Sequence, residues 1–188
     1  MNYLKIFGID KEIINQLESY KSRDGFVKLN QSEFEETIDY FNGFKVYKNL
    51  IPILTDENSN YWCLHYQGPM KGFISYLSHD ELDLSPKFSS TSTFIKVIED
   101  NPDAYDFDEL DISLFEFPSK TTQINNNIID QLLELIKSEN EADVYRQLVF
   151  SVMSLTSKNN IDKNIKPFLQ NEDDYITEKA NEVLKFYH

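Results

Sequence analysis

Three side chains in the middle of the sequence could form a reactive or metal-binding site. Cys63 and His65 are two residues apart, which puts both on one face of a strand, and His79 lies at the far end of the next predicted strand. A thiol beside an imidazole can form a nucleophile pair, and the three side chains are possible zinc ligands. A fourth ligand at a characteristic spacing is missing, however, and a strand cysteine is typically a small buried apolar residue. We therefore expect no cofactor and no metal.

Two pairs of adjacent acids, Asp56-Glu57 and Asp80-Glu81, follow predicted strands, where loops commonly carry functional groups. Paired carboxylates can act as general acid and general base, or they can be solvated turn residues, and both interpretations stay open. The sequence has no glycine-rich phosphate loop, serine-centred elbow or metalloprotease motif among its 5 glycines and 3 histidines. We therefore expect a protein that is not an enzyme.

The residues before these motifs predict two helices. Asp10 is an N-cap residue type, and the apolar stripe at helical spacing after it predicts a first helix that ends near Gly25. Ser32 and Glu35 have the spacing of a capping box and predict the start of a second helix. Asn42-Gly43 predicts a left-handed stop for it.

Residues 44 to 77 predict a sheet. Short runs rich in aromatic and β-branched residues are typical of strands, and these runs are Phe44 to Tyr47, Leu50 to Leu54, Tyr61 to Tyr66 and Phe73 to Leu77. Turn-forming residues between the last two runs indicate antiparallel pairing, so the strands should form a meander. Trp62 and Leu64 should be buried beneath the helices, with Cys63 and His65 on the opposite face.

From Asn125 onward the sequence predicts helices only. Before that, a helix should end at Asn101-Pro102. Residues 99 to 117 interleave acids with aromatic residues and contain no Lys or Arg. The apolar patterns that follow resemble degenerate HEAT-type hairpins. We predict a domain over residues 1–120, with a C-terminal helical extension over residues 121–188 packed on it.

Residues 30 to 100 resemble the SUKH superfamily. The shared features are a strand with an apolar-proline-apolar core, an aromatic strand, a turn, a strand that ends in a His-Asp dipeptide, and a following Ser-Phe-type helix. They correspond here to Ile51-Pro52-Ile53, Tyr61 to His65, Gly68-Pro69, His79-Asp80 and Ser92 to Ile95. The sequence departs from the family pattern at Ser59-Asn60, where glycines are usual, and at His65, where the family usually has Asp.

That superfamily groups bacterial toxin-immunity proteins with a fungal regulator of cell-wall glucan synthesis. The resemblance implies an α+β fold with a single, mostly antiparallel sheet flanked by helices. It also implies a non-catalytic protein-binding module, in bacteria an immunity protein that neutralises a cognate toxin, commonly a nuclease or deaminase. The alternative is a scaffold or regulator of cell-wall synthesis or signalling without a toxin partner.

The formal net charge of −14 and a pI near 4.5 argue against nucleic acid as a ligand, because counterion release requires clusters of Lys and Arg. Such a charge either serves solubility alone or steers a basic protein partner, such as a toxin domain with nuclease activity. For the second case, the predicted partner-binding surface consists of Asp56, Glu57, Asp80, Glu81, Asp83, Asp103, Asp106, Asp108 and Asp111.

Composition also bears on location. Cys63 is the single cysteine, so an intramolecular disulfide cannot form. Charged residues interrupt every candidate membrane span, and the N-terminal residues lack the apolar run of a signal peptide. These features lead us to expect a cytoplasmic protein without membrane contact, as a monomer or weak dimer.

Overall fold

The computed structural model describes residues 1–105, 109–118 and 126–187, and the chain divides into two compact units. The first unit comprises Met1–Leu82 and Phe88–Leu114, and the second comprises Asp83–Lys87 and Phe115–His188. The boundary that the sequence predicts at residues 120 and 121 lies outside the described residues.

The predicted α+β class is confirmed, with one five-stranded sheet in the order β1-β2-β3-β4-β5. The strands are β1 (Val27–Lys28), β2 (Leu50–Thr55), β3 (Tyr61–His65), β4 (Ile74–Leu77) and β5 (Pro86–Phe88). The pairs β1–β2, β2–β3 and β3–β4 are antiparallel, as the predicted meander requires. The helices of the first unit are α1 (Lys11–Ser19), α2 (Gln31–Asn42) and α3 (Thr91–Asp100), with 3₁₀ helices at Asn2–Phe7, Lys45–Tyr47 and Ile112–Leu114.

Helices cover both faces of the sheet, so the face opposite Trp62 is buried as well. On that face Phe94 of α3 contacts the Trp62 ring at a centroid distance of 4.5 Å. On the other face Phe41 of α2 contacts Tyr61 at 6.2 Å, and Cys63 and His65 are 0% and 5% exposed. All residues of β2 and β4, and all of β3 after Tyr61, are buried because both faces pack against helices.

The predicted strand Phe44 to Tyr47 is wrong, and so is the left-handed stop at Gly43. Gly43 has φ −71° and donates its N–H to Tyr40, so α2 tightens into successive short turns instead of reversing. The N–H of Phe44 then bonds to Phe41 and that of Tyr47 to Phe44. The aromatic residues of this run pack against one another in the turns, which outweighs their strand propensity.

The start of α2 also differs from the prediction. The capping box is formed by Asn30 and Glu33, and not by Ser32 and Glu35, so the helix begins earlier. The Asn30 side chain accepts from the Glu33 N–H at 3.1 Å, and Glu33 accepts from the Asn30 N–H at 2.8 Å. Both pairs have the same spacing, but the Asn30 pair lies nearer to the preceding strand β1.

Among the described residues of the second unit after Phe115, the regular elements are all helices. They are α4 (Asn126–Ser138), α5 (Ala142–Leu155), α6 (Ile161–Asn164) and α7 (Asp174–Tyr187), with 3₁₀ turns at Lys158–Asn160 and Lys166–Phe168. Helix α5 packs against both α4 and α7. Its Val149 and Met153 are fully buried together with Ala180 and Val183 of α7. The unit therefore has a core of its own.

Candidate functional site

A groove of about 760 Å³ lies in the first unit, between α2 and one end of the sheet. Its floor is a row of cross-strand neighbours, in which Thr55 pairs with Tyr61 and Tyr61 pairs with Leu77. Residues directly opposite each other in antiparallel strands project on the same side. The register of the meander thus builds the floor.

One wall of the groove is a face of α2. Glu33, Glu36 and Tyr40 line it, at positions i, i+3 and i+7, together with Thr37. Residues at these spacings lie above one another on a helix. The adjacent stripe of α2 carries Phe34 and Phe41, both 2% exposed, and their burial fixes which face of the helix turns to the groove.

The loop between β2 and β3 forms part of the opposite wall. The Asp56 carboxylate accepts from the N–H groups of Asn58 at 2.8 Å and Asn60 at 3.2 Å, which closes the loop tightly. Glu57 and Ser59 line the groove and have φ 65° and 68°, in the left-handed region that favours glycine. The loop holds these two residues in a conformation that costs free energy.

The segment after β4 completes that wall, and Asn60 joins it to the loop. The Asn60 Oδ1 atom accepts from the His79 N–H at 2.8 Å and lies 2.8 Å from the His79 Nδ1 atom. The Asn60 Nδ2 group donates to Asp56 at 2.7 Å. His79 in turn lies 3.1 Å from a carboxylate oxygen of Asp80. The two acid pairs therefore meet at one edge of the sheet.

Carboxylates dominate the charge of this groove. Five line it, from α2, the loop and the segment after β4, and they are Glu33, Glu36, Glu57, Asp80 and Glu81. Among the described residues that line the groove, none is Lys or Arg. Low-dielectric walls concentrate the field of such a set, so the groove attracts cations.

Aromatic rings extend from the groove along the end of α2. Tyr40 is 57% exposed and Phe44 is 48% exposed, and their ring centroids are 5.1 Å apart. Tyr47, which also lines the groove, lies 6.2 Å from Tyr40 and 4.9 Å from Phe41. Exposed tyrosines that neighbouring rings hold in place are typical of residues that anchor protein partners.

The structure brings three of the predicted partner-binding residues together, namely Glu57, Asp80 and Glu81. Asp56 lies beside them and closes the loop. Asp103 and Asp111 are exposed elsewhere in the first unit and do not line the groove. Asp106 and Asp108 lie outside the described residues.

Asp83 belongs to the second unit, where ion pairs compensate its charge. Its carboxylate lies 3.1 Å from the Lys179 ammonium and 3.4 Å from that of Lys87, and its side chain is 16% exposed. Burial alone would raise the pKa of Asp83, but Lys87, Lys179 and the hydrogen bonds of Ser85 hold that pKa well below its ordinary value. Asp83 therefore stabilises the second unit.

Sequence reasoning missed Glu33, Glu36 and Tyr40. The signal was available, because they follow one another at helical spacing on the polar side of a predicted helix. What the sequence does not contain is the direction in which α2 crosses the sheet. That direction decides whether its polar side meets the loop acids or open solvent.

Cys63 and His65 are buried in the sheet, whereas His79 lies at the surface. Burial raises the pKa of the Cys63 thiol and lowers that of His65 to about 3, so both are neutral at physiological pH. The His65 Nε2 atom lies 2.9 Å from the Ser75 hydroxyl, whereas His79 is half exposed at the groove. Within the described ranges, no three His, Cys, Asp or Glu side chains are placed to hold a metal ion.

Comparison of the chain with family models, curated proteins and solved structures finds no match. In the part of the chain that the structure describes, none of the helices has both the length and the apolar character needed to cross a bilayer.

Proposed function

We propose that this protein is a non-catalytic protein-binding module that holds a basic segment of its partner in the acidic groove. The observation that carries the proposal is the set of five carboxylates in a groove that Tyr40, Tyr47 and Tyr61 also line, with no Lys or Arg among the described lining residues. Complementary charge accelerates encounter, and ordered aromatic side chains supply contact energy once the partner is seated.

The partner that we propose is a bacterial toxin, and the protein is its immunity protein. This step rests on the resemblance of residues 30 to 100 to the SUKH superfamily. It is supported by the charge of the groove, because a nuclease binds a polyanion and therefore exposes a basic cleft. The left-handed conformation of Ser59, in a loop where that superfamily usually has glycines, supports it further.

Binding is favoured over catalysis by the state of the nucleophile candidates. A cysteine attacks as its thiolate, and the raised pKa of the buried Cys63 keeps it protonated. The imidazole of His65 is enclosed with Ser75 at 5% exposure, so a substrate cannot reach it without opening the sheet.

Co-expression with the toxin encoded beside the gene tests this proposal. The chain should restore growth, and the triple variant Glu57→Gln, Asp80→Asn, Glu81→Gln should restore it less, with association slowed by about tenfold. A matched control removes three exposed carboxylates outside the groove lining, by Glu12→Gln, Glu134→Gln and Glu178→Gln. Equal loss of protection in both variants, or full protection by the groove variant, would contradict the proposal.

A further inference from the structure

We infer that the groove selects arginine over lysine, with a guanidinium of the partner lying flat on the Tyr40 ring and pairing with the Glu36 carboxylate. This inference rests on the proposed function, because it names the chemistry of the basic segment that the groove receives. It goes beyond charge complementarity, since a purely electrostatic groove would accept either cation.

The first argument is the placement of the two side chains. Glu36 and Tyr40 are four residues apart on α2, so they are neighbours on one helical face, and both line the groove. A cation that reaches the Glu36 carboxylate therefore lies beside the Tyr40 ring. The helix presents a carboxylate and an aromatic face as one unit.

The second argument is that the chain uses this arrangement for its own arginines. In the second unit the Arg146 guanidinium lies 4.8 Å from the centre of the Tyr175 ring and binds Asp173 at 2.8 Å and Asp143 at 3.1 Å. The only other arginine, Arg23, lies 4.5 Å over Phe26. Both arginines thus combine a stacked ring with acceptors at the guanidinium edge.

The third argument is the difference between the two cations. A guanidinium is planar, weakly hydrated and forked, so it can stack on a ring and bind a carboxylate with two parallel hydrogen bonds. A lysine ammonium is a compact, strongly hydrated charge that gains less from a ring face. Tyrosine beside glutamate therefore favours arginine.

The Tyr40 ring is also ordered before binding. Although 57% of the residue is exposed, Phe44 packs at 5.1 Å and Tyr47 at 6.2 Å from its centroid. A ring that neighbours hold in place loses little conformational entropy when a ligand stacks on it. The site is therefore prepared for a flat cation.

Fluorescence anisotropy with two labelled peptides tests the inference. One peptide alternates Gly and Arg and the other alternates Gly and Lys, at equal length and charge. The arginine peptide should bind about fivefold more tightly. Tyr40→Leu should remove that preference by weakening arginine-peptide binding more than lysine-peptide binding, and Glu36→Gln should reduce arginine-peptide binding more than lysine-peptide binding.

The control is Tyr105→Leu, because Tyr105 is 60% exposed and does not line the groove. It should leave both affinities unchanged, and circular dichroism should show that each variant is folded. Equal binding of the two peptides to the unaltered chain, or a preference that survives Tyr40→Leu, would overturn the arginine inference and leave the proposed function standing. Failure of both peptides to bind would overturn the proposed function and the inference with it.

Discussion

The Asn60 side chain accepts a hydrogen bond from the backbone N–H of His79 at 2.8 Å, across 19 residues of sequence. Through this bond the loop that carries Glu57 is tied to the segment that carries Asp80 and Glu81. The same side chain donates to Asp56 at 2.7 Å. Asn60 therefore fixes the spacing of one wall of the groove.

Replacing this link should weaken both stability and binding. Asn60→Ala removes bonds to Asp56 and His79, so the free energy of unfolding should fall by about 1–3 kcal/mol. Affinity for the cationic peptides should fall as well, because the wall is no longer held. Urea denaturation and anisotropy measure the two effects. The control is Asn58→Ala, which removes a longer hydrogen bond, at 3.3 Å, from an exposed side chain. An equal loss of stability and affinity in Asn58→Ala would contradict the role of Asn60 in holding the wall.

Arg23 should be necessary for the stability of the first unit. Its guanidinium donates to the carbonyls of Ile98 at 3.0 Å, Asn101 at 2.9 Å and Ala104, so it satisfies carbonyls at the end of α3 and in the turn after it. Arg23→Ala should lower the free energy of unfolding by about 2–4 kcal/mol.

Arg23→Lys should recover less than half of this loss, because an ammonium cannot reproduce the forked geometry. Thermal and urea denaturation measure both variants. Full recovery of stability in Arg23→Lys would show that charge alone matters. As a control, Lys21→Ala should have little effect on stability, because Lys21 is an exposed neighbour.

Stability should depend on pH through His65. Its pKa is lowered by burial to about 3, whereas in the unfolded chain it is ordinary, near 6.5, so the unfolded state takes up the proton first as pH falls. The contribution of neutral His65 to the free energy of unfolding is complete above about pH 6.5. It is lost on acidification, by about 2 kcal/mol between pH 7 and pH 5. Urea denaturation at several pH values should show a flatter dependence for His65→Gln. An equal slope in both proteins would refute the assignment.

Substitution of Asp83 should lower stability, whereas substitution of Asp80 should weaken binding. Asp83→Asn removes the Asp83 carboxylate from Lys179, whose side chain is only 13% exposed. The free energy of unfolding should therefore fall by about 3 kcal/mol. Asp80 is 81% exposed, so Asp80→Asn should leave stability unchanged and weaken binding of cationic peptides. Denaturation and anisotropy on both variants test this contrast. A binding defect in Asp83→Asn without loss of stability would contradict it.

The sequence predicts the acids of the site better than their surroundings. Glu57 and Asp80 could be found because acids at strand ends lie in loops, and the meander of β2 to β4 was visible in apolar runs. The short strands β1 and β5 were not predicted, since two or three residues are too few for an alternating pattern to appear. Phe44 to Tyr47 was mistaken for a strand because the contacts that bend it depend on Tyr40 and Phe41.

Binding at the acidic groove can be located directly by a ¹H–¹⁵N NMR titration of the full chain with the arginine peptide. The account predicts that the largest shift changes occur at the backbone amides of Glu36, Tyr40, Glu57 and Asp80, and that added salt reduces them. Changes concentrated in α4 to α7, or spread evenly over exposed acids of both units, would contradict the assignment of this groove as the binding site.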